Sequence, residues 1–112
     1  METVTVEHVK EAMESPEEVA LINVLSEDEF MKEHIPGSIN IPIKIDEDFA
    51  QKVEEVVPSK GYHIIVYCSG PVCNTSEQAA KELDKVGFSF VMRFKGGMQE
   101  WKEAGEPVKS GM

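Results

Sequence analysis

Two cysteines, Cys68 and Cys73, are the residues of this chain best placed to do chemistry. Cys68 ends the apolar run Ile64-Ile65-Val66-Tyr67. It is followed by the small-residue stretch Ser69-Gly70-Pro71-Val72 before Cys73, and then by Asn74-Thr75-Ser76, residue types that open helices. A thiol reacts as its thiolate, and a free cysteine titrates near pH ~8.5, so a reactive cysteine needs a local positive field. A helix N-terminus supplies about half a positive charge and several unpaired N–H donors. A tight loop of small residues adds more donors by turning successive amides toward one point. Ser69, Gly70 and Val72 suit such a curl, Pro71 stiffens it, and Asn74, Thr75 and Ser76 are each able to cap the helix. The expectation is a cup of main-chain amides that ionises Cys68, with Cys73 close by, and holds a small anion beside it.

The rest of the composition sharpens that requirement. The formal net charge is −10, and Arg93 is the only arginine among eleven basic residues. No Lys/Arg cluster is present to bind phosphate, which argues against nucleic acid and anionic membranes as partners. The same charge repels a small anionic substrate, so an anion site has to be local and built from backbone N–H groups. No apolar run approaches the ~20 residues that span a bilayer. Met1-Glu2-Thr3-Val4 has no basic or apolar leader character. The expected compartment is the cytoplasm, where cysteines stay reduced and a structural disulfide is not the first reading. Two cysteines are too few for a structural zinc site, which takes four ligands. Residues 1–112 are expected to form one domain, an ordinary domain size.

The elements that must position the loop are legible from periodicity. Val6, Val9, Ala12 and Met13 fall at helical spacing behind Thr5 as cap, and Ser15-Pro16 breaks that helix. Val19 to Val24 is continuously apolar and reads as a strand buried on both faces. Ser26-x-x-Glu29 is a capping box for a short helix to about Glu33, with Phe30 as its core contact. His34 to Pro42 is a turn, opened by Gly37, leading into a short strand. Asp46 to Val57 reads as a helix and Tyr62 to Tyr67 as the central strand. Ala79, Ala80, Leu83 and Val86 mark a helix ended by Gly87, and Phe88 to Phe94 the next strand. Gly96-Gly97 then turns into a last helix with Met98, Trp101 and Ala104. His34 and Trp101 are read as structural. Strands alternating with helices predict an α/β sandwich on a mostly parallel sheet. In such sheets ligands collect beyond the carboxyl ends of strands, where Cys68 lies.

Over nearly its whole length the sequence resembles a single-domain rhodanese-like protein. The residues that carry the resemblance are Ala20-Leu21-Ile22-Asn23-Val24 with Glu27-Asp28-Glu29-Phe30, then His34-Ile35-Pro36-Gly37-Ser38-Ile39-Asn40-Ile41-Pro42. Ile65-Val66-Tyr67-Cys68 follows, and the run from Lys95-Gly96-Gly97 through Trp101 to Gly105-Glu106-Pro107-Val108 closes it. The resemblance implies a three-layer α/β fold with a mostly parallel five-stranded sheet and helices on both faces. It implies Cys68 as catalytic residue and Ser69 to Cys73 as its loop. It also implies sulfur transfer without metal or organic cofactor: Cys68 takes a sulfane sulfur from thiosulfate or another persulfide donor and passes it to cyanide, a small thiol or a protein thiol.

This chain departs from the common family pattern at informative places. Asn23-Val24-Leu25 stands where many relatives have Asp-x-Arg, and Cys73 stands where many have a loop arginine. The stretch from Cys68 to Gly87 is slightly longer, and Cys-x-Gly-Pro-x-Cys marks a subgroup. Cys73 therefore has three readings: a bystander, a resolving thiol that forms a disulfide with Cys68, or the persulfide carrier itself. The competing function classes are a non-catalytic binding module and a Cys68/Cys73 redox sensor. Phosphatase or arsenate reductase chemistry is disfavoured, because it wants an arginine in the loop to clamp an oxyanion.

Overall fold

Five runs of extended chain align side by side, and each is held by hydrogen bonds to its neighbours in one direction only. The computed structural model describes residues 2–15, 18–44 and 46–111. The elements in chain order are β1 (Glu2–Thr3), α1 (Val6–Met13), β2 (Val19–Asn23), α2 (Glu27–Lys32), β3 (Ile39–Asn40), α3 (Phe49–Val56), β4 (His63–Tyr67), α4 (Thr75–Lys85), β5 (Phe90–Phe94) and α5 (Gly97–Glu103). The sheet order is β1-β5-β4-β2-β3, and every pairing is parallel.

Alternation along the strands divides the core into two layers. Ile64, Val66 and Cys68 pack with Ala20, Ile22 and Val91 against the faces of α3 and α4, which present Phe49, Ala50, Val53, Ala79, Ala80 and Leu83. Ile65 and Tyr67 pack with Leu21, Met92 and Phe94 against Val6 and Val9 of α1 and Met98 and Trp101 of α5. Helices therefore cover both faces, as a buried parallel sheet requires. The indole N–H of Trp101 donates to the Pro107 carbonyl (2.8 Å), which satisfies the one polar atom of that ring.

Most helix ends follow the sequence. Thr5 Oγ1 accepts from the His8 amide (3.3 Å) and Ser26 Oγ from the Glu29 amide (3.3 Å). Gly87 takes φ +97° behind α4. Four expectations need correction or restriction. The helix expected from Asp46 begins at Phe49, because the Asp48 carboxylate accepts from the Gln51 amide (3.1 Å) and caps it there, leaving Asp46 and Glu47 in the preceding turn. Phe30 does not join either core cluster; its ring stacks on His34 at 3.7 Å. The first strand was not legible at all, since Glu2–Thr3 is two exposed residues pairing with Met92 and Arg93. Pro16, expected to break the first helix, lies outside the described residues.

The end of β4 is tied to β2 and to the turn before β3 by one buried polar network. Tyr67 Oη accepts from Asn23 Nδ2 (3.0 Å) and from the Ile35 amide (3.0 Å). Both oxygen lone pairs are then used, so its hydrogen goes to Ser38 Oγ (2.9 Å), whose own hydroxyl donates to the Ile35 carbonyl (2.7 Å). Asn23 Oδ1 accepts from the Leu25 amide (2.9 Å), and Asn40 Nδ2 donates to the Leu25 carbonyl (2.9 Å).

Burial raises the Tyr67 phenol above its ordinary 10.0, against the opposing pull of its hydrogen bonds with Ser38, Asn23 and Ile35. A native value above the unfolded one contributes stability that is complete below pH 10.0 and lost as pH rises through the raised value. Tyr67→Phe strands two buried donors, so urea denaturation should show a loss of about 1–3 kcal/mol at neutral pH. Its stability should then fall less steeply than the wild type's above pH 10.0.

Candidate active site

The carboxyl end of β4 delivers Cys68 to the face shared with α4, and the chain leaves through a turn. The Cys73 amide donates to the Gly70 carbonyl (3.1 Å), which brings Cys73 back over the strand end. The two cysteine Cα atoms lie 6.5 Å apart, within disulfide range, and their sulfurs are bonded. Reduced thiols are the first expectation from the sequence and a Cys68–Cys73 disulfide is one of three for Cys73; the turn closes the two into a pair. Cys68 is 1% exposed, whereas Cys73 is half-buried. Pro71 and Asn74 are exposed, Val72 projects at 91% exposure from the loop tip, and Thr75 is half-buried.

The loop is gripped from α5. The Met98 amide donates to the Cys68 carbonyl (3.0 Å) and the Gln99 amide to the Ser69 carbonyl (2.9 Å). Gly97, at φ +56°, makes this approach: a Cβ there would sit 2.8 Å from the Gly70 nitrogen and closer still to the Cys68 carbonyl oxygen.

The helix behind the loop does not use the caps expected of it. Asn74 is the N-cap residue, but its side chain makes no capping bond. Among the described residues the amides of Thr75, Ser76 and Glu77 have no acceptor, so the positive end of α4 is open beside Cys68. Ser76, fully buried, is engaged elsewhere. Arg93 Nε donates to Ser76 Oγ (2.8 Å), and Arg93 Nη2 donates to the Cys73 carbonyl (3.0 Å). Ser76 Oγ and the Cys73 carbonyl oxygen each lie 3.5 Å from Cys68 Sγ.

The expected cup made only of main-chain amides is therefore incomplete as a description. A basic side chain underlies the loop, on β5 rather than in the loop itself. Its signal was in the sequence: Arg93 is the one charge in Phe90-Val91-Met92-Arg93-Phe94, and alternation puts it with Val91 on the Cys68 face. Arg93 is 6% exposed, and no carboxylate lies within ion-pair distance of it among the described residues. His34 takes no part: its Nδ1 lies 2.8 Å from the Phe30 carbonyl and so donates to it, holding the turn before β3. Lys95 is exposed.

Ser69 lines the neighbouring cleft, of about 530 Å3, with Leu25 and Met98 as apolar floor. Its walls carry Glu29, Glu33 and Glu103 against one cation, Lys102, whose Nζ pairs with Glu33 at 2.6 Å. The approach to the loop is thus acidic while its underside is basic. No cluster of three or more metal-ligating residues occurs among the described residues, and no helix there is long and apolar enough to cross a membrane.

Comparison with known proteins agrees with the fold. The family model for the rhodanese-like domain matches residues 5–104. The chain is 36% identical over 94 residues to the HTH-type transcriptional regulator Rv0324 of Mycobacterium tuberculosis; the match covers 84% of this chain and 39% of that protein, so the chain spans well under half of it. It is 30% identical over 79 residues to thiosulfate sulfurtransferase PspE of Escherichia coli, with 70% of each chain covered. The crystal structure of the Alr3790 protein from Anabaena superposes with a TM-score of 0.83 at 26% identity, covering 97% of this chain and 93% of the other.

The contact at Gly97 gives a test of the grip. Gly97→Ala adds a Cβ into the Cys68 carbonyl at a left-handed φ, and backbone strain of this kind costs about 1–3 kcal/mol. Thermal melting should fall accordingly. Alkylation of Cys68 in the reduced protein should also change, because the strand end has to shift to admit the methyl group.

Proposed function

Because the chain belongs to the rhodanese-like domain family, we propose that it is a sulfurtransferase whose Cys68 carries the transferred sulfur as a persulfide. The observation that supports this most directly is the placement of Cys68 Sγ at the open end of α4, 3.5 Å from the Ser76 hydroxyl. In the first step the Cys68 thiolate attacks the outer sulfur of the donor. The donor's S–S bond breaks, and its electron pair leaves on sulfite or on the donor thiolate. In the second step an acceptor thiolate attacks the outer sulfur of the persulfide, takes it, and returns Cys68 as thiolate. No net oxidation occurs and no cofactor enters.

Cys73 resolves the intermediate in this scheme. Its thiolate attacks the inner sulfur of the Cys68 persulfide, forms the Cys68–Cys73 bond and expels the outer sulfur, which leaves as hydrosulfide after taking one proton. The bonded pair is the product of that step, and an external thiol must reduce it before the next cycle. A compartment rich in reduced thiols, as the cytoplasm is, suits this cycle. The same pair supports a second reading, a redox sensor in which bonding and opening are the whole function. Similarity to a protein named as a transcriptional regulator favours keeping that reading.

Mass spectrometry after a polysulfide or thiosulfate decides between them. The reduced wild type and Cys73→Ser should each gain one sulfur on Cys68, more durably in Cys73→Ser, and Cys68→Ser should gain none. Sulfur loading confined to Cys73 would reverse the roles, and a disulfide formed with no sulfur added by any donor would favour the sensor.

The acidic cleft sets a further expectation for the donor. Thiosulfate is a dianion and meets Glu29, Glu33 and Glu103 on a chain of net charge −10. Raising salt from about 0.1 M to 1 M shortens the screening length from about 10 to 3 Å. Steady-state kcat/KM for thiosulfate should therefore rise several-fold with salt, while that for an uncharged persulfide donor stays flat.

A further inference from the structure

Arg93 presents a charge problem that the proposed reaction alone does not resolve. A guanidinium stays protonated at every accessible pH. Burying it without a counter-ion costs several kcal/mol, which dipoles offset only in part. On a chain with twenty-one carboxylates, none reaches Arg93 among the described residues. Its two hydrogen-bond partners among the described residues, Ser76 Oγ and the Cys73 carbonyl, are the same two polar atoms that approach Cys68 Sγ. We propose that Arg93, acting through Ser76, is the positioning residue that selects the ionised form of Cys68, and that the Cys68 thiolate is the counter-ion for which this buried guanidinium is kept.

The hydrogen-bond directions carry the argument. Arg93 Nε donates to one lone pair of Ser76 Oγ, and the Ser76 hydroxyl hydrogen remains available to Cys68 Sγ when that sulfur is a thiolate. A thiolate accepts that bond well; a thiol hydrogen finds only oxygens that already accept from Arg93, Ser76 Oγ and the Cys73 carbonyl. Arg93 Nη2 already donates to that carbonyl and draws electron density from it, so the neutral form finds a weakened acceptor. Both contacts favour the anion over the thiol. Hydrogen bonds to a charged form, together with an opposite charge a few ångströms away, lower such groups by about 1–3 pKa units.

The same asymmetry fixes how the Cys68–Cys73 bond opens. Cys68 is buried and Cys73 is the accessible sulfur. An external thiolate attacks Cys73 Sγ and bonds to it, the Cys68–Cys73 bond breaks, and the electron pair departs on Cys68 Sγ toward Ser76. A second external thiolate then attacks the external sulfur of the mixed disulfide and frees Cys73. The protein gains two electrons and two external thiols become one disulfide. A leaving thiolate that is better stabilised leaves faster.

This inference rests on the reading of Cys68 as the sulfur carrier, and the two are separable by experiment. In a Cys73→Ser background, the rate of Cys68 alkylation is followed against pH for the parent, Arg93→Gln, Arg93→Lys and Ser76→Ala. Cys68 in the parent should titrate at least one unit below the free value of about 8.5. Arg93→Gln and Ser76→Ala should each raise that midpoint by about one unit or more, a tenfold loss of thiolate at pH below it. The double variant should lie well short of the sum, because one chain of contacts is broken twice. Arg93→Lys should recover part of the shift, since it keeps the charge and loses the fork. With both cysteines present, glutathione titration should show Arg93→Gln holding the disulfide to a [GSH]²/[GSSG] ratio about tenfold higher than the wild type does.

A parent midpoint at the free value, or an unchanged midpoint in Ser76→Ala, overturns the proposal; Ser76→Ala keeps the Arg93 charge and its bond to the Cys73 carbonyl, and decides the matter if the Arg93 variants do not fold. Sulfur loading measured on the same samples separates the two readings. Midpoints that move as described on a protein that never takes up sulfur uphold the role of Arg93 and remove the sulfurtransferase. Normal loading with midpoints that do not move does the reverse.

Discussion

One buried positive charge, the Arg93 guanidinium, sets the terms for everything at the carboxyl end of the sheet. It stands on β5 beside Val66, with which it is in register, so it projects to the face from which Cys68 emerges one step further along β4. Helix α4 has to bring Ser76 over it, and the turn from Gly70 has to bring the Cys73 carbonyl over it, because these are the dipoles that compensate its burial. The N-cap residue of α4, Asn74, makes no side-chain capping bond, so the helix end beside the sulfur stays open. The chain carries a net charge of −10, yet that charge is spread on the surface and screened within about 8 Å at physiological salt. A buried group is screened much less, so at the sulfur the local cation outweighs the distant carboxylates.

On the opposite face the strand end is fixed by neutral groups. Asn23, Tyr67, Ser38 and the Ile35 backbone form a network in which every donor direction follows from the count of lone pairs. Here amide and hydroxyl groups hold β2, β4 and the turn before β3 in one arrangement without any ion. The site therefore concentrates its one permanent charge on the side of the sulfur, and the supporting side is uncharged. Together with the α5 amides on the Cys68 and Ser69 carbonyls, the network restrains the residue before the cysteine, the cysteine and the residue after it.

The architecture was legible because its signals are long and redundant. Apolar runs, interrupted in β5 by Arg93 alone, marked β2, β4 and β5, helical stripes marked α1, α4 and α5, and Gly87 and Gly97 fell where the backbone needs them. The matches to family and fold then agree with the alternating order. What escaped was short or non-local. Two exposed residues cannot show a period, so β1 was invisible. The start of α3 turned on which of two nearby aspartates would cap, a choice that no periodicity makes. Phe30 was assigned to the core because it is large and apolar, but its partner is an aromatic ring across its own turn. Arg93 was counted as a basic residue and not placed, although strand parity alone puts it on the Cys68 face. Its role depends on contact with Ser76, seventeen positions away in sequence, and only the packed structure supplies that distance.

A fold that hosts many chemistries leaves function to the site. In this site the two sulfurs are unequal in every respect that governs exchange. Cys68 is sealed, faces a hydroxyl donor and lies one atom removed from a guanidinium; Cys73 is half-exposed on a turn whose tip, Val72, stands in solvent. Attack is easiest at Cys73 and departure is easiest from Cys68, so the pair opens in one direction. Outside, the acidic cleft repels anionic reagents and leaves neutral or cationic thiols an unopposed approach. Charge thus divides the site by depth: the cleft beside Ser69 is acidic, and the one guanidinium lies beneath the bonded pair, which on the proposal above is where negative charge settles when that bond breaks.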